Sequence, residues 1–115
     1  MSTNRLKTVW GEWEVLSEDS FFKVKKITVN PGHRLSYQTH KYREEFWTIV
    51  QGKATITLEG VITEYESGGM IHIPIGAAHR IANSCEESVI FIEVQRGSYF
   101  GEDDIIRLED DYGRS

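Results

Sequence analysis

The chain has 115 residues, 39% of them hydrophobic and 27% charged, with a formal net charge of −5 and a pI near 5.3. That length supplies one hydrophobic core and not two, so residues 1–115 are expected to form a single domain. The acidic balance disfavours nucleic acid or an anionic membrane as partner, and no apolar run approaches the roughly 18 residues of a membrane span. The single cysteine, Cys85, permits no internal disulfide, which fits a cytoplasmic location.

In chain order, residues 1–8 read as a polar, flexible lead-in without the continuous apolar core of a secretory signal. Residues 10–16 alternate well enough for an edge strand, and residues 17–20 read as a turn. Residues 21–29 form a strand with Lys25, Ile27 and Val29 on one face and Phe22, Val24 and Lys26 on the other. Asn30-Pro31-Gly32 signals a turn before strands at residues 35–40 and 45–51. Residues 54–58 alternate cleanly, and Glu59-Gly60 suits a two-residue hairpin turn into residues 61–65. After Gly68-Gly69 come a short apolar run at 70–73, the segment 78–82 past the Pro74–Gly76 turn, a polar loop at 83–88 and a strongly apolar strand at 89–94. Residues 98–115 make an acidic arm, solvated or packed on the barrel through Ile105, Ile106 and Leu108. Many short strands with no helical period between them predict an all-β sandwich or barrel.

The chemistry concentrates after Pro31. Gln38 and His40, two apart on a strand, point the same way. A turn through residues 41–44 would fold Glu45 back beside His40. A carbonyl oxygen, an imidazole and a carboxylate suit a divalent cation of borderline hardness, and His79, past the turn Pro74-Ile75-Gly76, is placed to be a fourth donor. Gln38, His40, Glu45 and His79 are the expected metal ligands. Zinc is the first expectation for this single divalent ion, with Mn, Fe, Co and Ni as alternatives.

These segments carry a resemblance. Gly32-x5-Gln38-x-His40-x4-Glu45-x6-Gly52, followed by Gly68-x5-Pro74-x-Gly76-x2-His79-x3-Asn83, resembles the pair of cupin motifs, with Gln38 replacing the first His of the usual HxH. More narrowly, PG-RLSYQTH--R-E-W, IP-GAAHRIAN and IEVQRGSYFGEDDIIRLEDDYGR resemble the type II mannose-6-phosphate isomerase domain. That domain is found at the C-terminal end of bifunctional isomerase/GDP-mannose pyrophosphorylases and also as a stand-alone cupin. The resemblance runs from Trp10-Gly11 to Arg114 and implies a small double-stranded β-helix, the cupin jelly-roll barrel, that pairs as a homodimer. The strand at residues 10–16 is a candidate for that pairing. Phe46 departs from the pattern, since the related isomerases usually carry His before the Trp.

The activity implied is the interconversion of mannose 6-phosphate and fructose 6-phosphate, which needs a general base, a cation and a phosphate clamp. Candidates for the base are His72, Lys25, Glu44 and Glu93. Arg43, Arg80, Lys25 and Gln95 are candidates for substrate and phosphate contacts, because the planar fork of arginine matches two phosphate oxygens. Lys25 lies on the face of Ile27 and Val29, and Glu93 on that of Val89 and Phe91; both are costly to bury without partners. Two other readings use the same barrel: a non-catalytic module binding a sugar phosphate or other small anion, and an oxygen-using iron cupin.

Overall fold

A computed structural model describes residues 5–113, which form eleven strands and no helix. They are β1 (Arg5–Lys7), β2 (Gly11–Glu18), β3 (Phe22–Val29), β4 (Tyr37–Thr39), β5 (Arg43–Gln51), β6 (Ala54–Leu58), β7 (Val61–Tyr65), β8 (Met70–Ile73), β9 (His79–Ala82), β10 (Val89–Gly97) and β11 (Ile106–Glu109). Two sheets face each other, one ordered β1-β2-β3-β10-β5-β8 and the other β11-β4-β9-β6-β7. All the strand pairings are antiparallel.

Alternation decides what the space between the sheets contains. On β3 the buried residues are Lys25, Ile27 and Val29; on β5, Arg43, Glu45, Trp47 and Ile49; on β10, Val89, Phe91, Glu93 and Gln95. Each of these strands is therefore apolar at one end and polar at the other. Register stacks like on like: Glu93 stands opposite Lys25 on one side and Trp47 on the other, and Gln95 opposite Glu45. The apolar ends form a core of Ile27, Val29, Ile49, Ile56, Ile73, Ile81, Val89 and Phe91. Lys25, Arg43, Glu45 and Glu93 from the polar ends line a cavity at the opposite end of the barrel.

Four boundaries differ from the sequence reading. Arg5–Lys7, placed in a flexible lead-in, is a strand paired with residues 12–14 of β2; residues 1–4 of that lead-in lie outside the described residues. The middle of the expected edge strand is thereby covered, and β1 is the edge. The turn expected at residues 41–44 closes within Lys41 and Tyr42, because β5 begins at Arg43. The arm beyond residue 98 contributes β11, which pairs with β4. Ile106 and Leu108 remain exposed; the arm docks by main-chain pairing, by ion pairs (Arg34 with Asp111, Arg80 with Glu109) and by Tyr112 packed against the core, while Ile105 lines the cavity.

Candidate metal centre

The short β4–β5 turn sets the site. The Asp104 carboxylate accepts the main-chain N–H groups of Lys41 (3.0 Å) and Tyr42 (2.9 Å), which caps the turn and brings Glu45 against His40. His40 Nε2 lies 3.2 Å from Glu45 Oε2, and His79 Nε2 lies 3.9 Å from Glu45 Oε1. One donor atom from each of the three residues falls within 4.8 Å of the others.

Both imidazoles are set in the form a cation binds. His40 Nδ1 faces the Asp104 carbonyl at 3.2 Å, and His79 Nδ1 faces the Ala77 carbonyl at 2.9 Å. A carbonyl only accepts, so each Nδ1 carries the proton and each Nε2 turns a lone pair toward Glu45. Burial pushes His40 down to about 3, with the Arg43 charge and His79 adding to it. Burial lowers His79 as well, against the Ala77 hydrogen bond. Neutral rings around a carboxylate fit a divalent cation. Glu45 is only 1% exposed and is held by Arg43 Nε (2.9 Å) and Trp47 Nε1 (3.0 Å), so its charge is buried with partners. Gln38 lines the same cavity opposite His79; its amide nitrogen donates to Ser36 Oγ at 2.8 Å, leaving the carbonyl oxygen as the atom it can offer a cation.

Around this cluster is a cavity of about 230 Å³. Lys25, Arg43 and Arg107 bring positive charge to its wall, Glu93 and Glu102 bring carboxyls, and Trp10, Trp13 and Trp47 bring flat apolar surface. Lys25 is buried, its Nζ 2.8 Å from Glu102 Oε2 and 4.3 Å from the Trp13 ring centre. Burial raises the Glu93 carboxyl to about 7; the Glu45 charge adds to this, and Lys25 and Arg43 oppose it. Glu93 Oε1 accepts from Trp47 Nε1 (3.1 Å) and Oε2 from Gln95 Nε2 (2.8 Å).

Not every expected residue reaches the cavity. His72 and Glu44 lie on the outer face, bonded to each other at 2.7 Å, with the His72 ring stacked on Phe46. The reason is alternation: His72 falls between buried Ile71 and Ile73, and Glu44 between buried Arg43 and Glu45. Neither can serve as base for a reaction inside the barrel. His72→Ala is accordingly expected to leave zinc affinity, read by titration against a chromogenic chelator, within about twofold of the parent. Arg80 borders the cavity, but its guanidinium is committed to the Leu35 carbonyl (2.9 Å) and Glu109 (2.6 Å), so it clamps the arm. Gln95 is fully buried beside Glu93. Glu102, Asp104 and Arg107 escaped residue-by-residue reading; the GEDDIIRLED segment that matches the family pattern was the available signal.

Two antiparallel sheets wrapped around an inward-facing His-Glu-His cluster define a cupin. The likeness extends to a double-stranded β-helix protein from Klebsiella pneumoniae (TM-score 0.74, 23% identity, 84% of this chain and 83% of that one). It extends equally to Bacillus subtilis oxalate decarboxylase, a protein with Mn(II) centres (TM-score 0.76, 20% identity, 91% and 30%). These identities speak to fold alone. The chain belongs to the mannose-6-phosphate isomerase C-terminal family, which it matches over residues 2–110. It is 47% identical over 109 residues to the alginate biosynthesis protein AlgA of Pseudomonas aeruginosa, across 92% of this chain and 22% of that protein. Against the mannose-1-phosphate guanylyltransferase ManC of Salmonella typhimurium it is 41% identical over 105 residues, across 91% and 22%. The chain thus spans less than a quarter of the length of these relatives.

Proposed function

We propose that this chain is a metal-dependent aldose–ketose isomerase acting on a sugar phosphate, with mannose 6-phosphate and fructose 6-phosphate as the pair. The observation that carries the reading is the neutral His40 and His79 pair turned onto Glu45, inside a cavity that also holds fixed cations and a carboxyl titrating near neutrality. His40, Glu45 and His79, with the Gln38 oxygen, would hold the ion; zinc is the first choice and manganese the second. Bound there, the ion would act as a Lewis acid for the negative charge that develops on the sugar oxygens.

The chain's own groups supply the rest. Isomerisation moves a proton from carbon 2 of the open-chain aldose to carbon 1, and the proton on the 2-hydroxyl to the carbonyl oxygen. Glu93, which lines the cavity with a pKa near 7, would take the carbon-bound proton and return it to the neighbouring carbon. Arg107 is the strongest phosphate contact, because its Nε is buried in the cavity wall without a hydrogen-bond partner among the described residues. Arg43 and Lys25 add positive charge on either side. The tryptophans displace water from the sugar ring and strengthen every charge interaction in the site.

Turnover of mannose 6-phosphate to fructose 6-phosphate by the purified chain supplied with Zn(II) or Mn(II) tests the proposal. Metal uptake without turnover, joined to thermal stabilisation by sugar phosphates, would replace it with the binding-module reading. That second reading draws support from the relatives, whose names describe nucleotidyl transfer and polymer biosynthesis and which this chain matches over a minor part of their length.

A further inference from the structure

We propose that Asp104 is a positioning residue for the metal centre: its main-chain carbonyl aims the His40 ring, and its carboxylate locks that carbonyl in place. The inference rests on the reading of His40 as a metal ligand. His40 lies just past the end of β4, a strand of three residues that meets β9 where Gln38 faces His79 and pairs with β11 on its other edge, and the His40 carbonyl accepts the Gly76 N–H at 2.9 Å. These contacts hold the main chain and leave the ring's Nδ1 to find its own acceptor. The Nδ1 acceptor comes from 64 residues further along the chain, the Asp104 carbonyl at 3.2 Å. Free to drift, that carbonyl would leave the tautomer and tilt of His40 undefined.

It is not free. Asp104 is 7% exposed, and its two carboxylate oxygens take the N–H groups of Lys41 and Tyr42, the two residues that follow His40. One residue thus grips the main chain beside the ligand and supplies the ligand's acceptor, so ring and carbonyl move together. The turn that delivers Asp104 is built tightly. Its N–H donates to the Gly101 carbonyl at 3.1 Å, and a Cβ on Gly101 would stand 2.1 Å from the Tyr99 hydroxyl and 2.6 Å from Asp103 Oδ1. At Gly97, the last residue of β10, a Cβ would meet the Tyr42 carbonyl, and the next N–H, that of Ser98, donates to the same carbonyl at 3.1 Å, so the start of the arm is held on the same β4–β5 turn.

His79 supplies an internal comparison. Its acceptor is the Ala77 carbonyl, two residues back on its own chain, and owes nothing to the arm. Loss of the Asp104 carboxylate should loosen one imidazole and spare the other.

The experiment compares the wild-type chain with Asp104→Ala, measuring Zn(II) affinity by chelator competition and both ring tautomers by long-range proton–nitrogen NMR of the metal-free protein. A drop in affinity of about 10- to 100-fold is expected, as for loss of other groups that orient metal-bound histidines. The His40 signals should move from a single Nδ1–H form to a mixture while those of His79 stay put. Asp104→Asn, which keeps one accepting oxygen, carries the same test if the alanine variant does not fold; one lost hydrogen bond predicts a loss of about fivefold. A folded variant with wild-type affinity and unchanged His40 signals overturns the proposal. A wild type that takes up no metal overturns the metal-centre reading instead, and the His40 tautomer then decides whether Asp104 orients the ring.

Discussion

His79→Ala is expected to strip the chain of tightly held metal and of turnover together, while the chain remains folded. His79 is one of three converging donors, and its Nε2 faces Glu45 at 3.9 Å. Loss of an oriented ligand should lower affinity beyond the 10- to 100-fold typical of losing an outer partner. If the ion stabilises developing charge by several kcal/mol, turnover should fall on the order of 1,000-fold. The cost to folding is smaller: the Ala77 carbonyl loses its donor, roughly 1–3 kcal/mol. Glu45→Gln is the poorer probe, since it leaves the buried Arg43 guanidinium without its 2.9 Å counter-charge, a change that costs about 3–5 kcal/mol by itself. Metal content after dialysis, measured beside turnover and thermal unfolding, separates the effects. A variant that retains stoichiometric metal at wild-type affinity would remove His79 from the site.

Strand alternation made much of this site legible before any coordinates. It puts Gln38 and His40 on one side, and it makes Lys25, Glu93 and Gln95 anomalous on apolar faces, which is where buried polar residues betray a cavity. The same rule, applied more strictly, would have removed two candidates: isoleucines on both sides of His72 and a ligand next to Glu44 fix both side chains outward. What alternation cannot reach is the pairing of residues far apart in the chain. The carboxylate that shortens the β4–β5 turn lies more than 60 positions away, as does the acceptor for His40. An acidic stretch such as GEDD reads as a solvated arm until its partners are known, and those partners (Lys25 for Glu102, the turn amides for Asp104) belong to other strands. Arg80 shows the converse. A basic residue beside a ligand looks like a phosphate contact, yet its fork is satisfied by Leu35 and Glu109.

Glu93→Gln should lower turnover on the order of 100- to 10,000-fold, the range for a removed general base, and should also remove the loss of folding stability that this carboxyl causes as pH rises. The carboxyl has a pKa of about 7 when folded, against 4.5 as its ordinary value. Below pH 4.5 it is protonated in both states, and its contribution to stability is fully present. Between pH 4.5 and 7 the unfolded chain releases the proton and the folded chain does not, so stability falls as pH rises. Above pH 7 the loss is complete, about 3 kcal/mol for a difference of this size. Glutamine has no proton to release. The variant's stability relative to wild type should therefore climb by about 3 kcal/mol from pH 4.5 to pH 8. His40 and His79 run the other way, since their depressed pKa values withdraw stability as pH falls below about 6.5; the Glu93 charge raises both, so part of their contribution stays in the comparison. Urea unfolding at several pH values, with a chelator present so that bound metal does not favour the ionised form, reads the difference directly. Parallel curves for the two proteins would mean that Glu93 is already ionised in the folded chain at neutral pH, and a carboxylate so well stabilised would be too weak a base to move a proton from carbon.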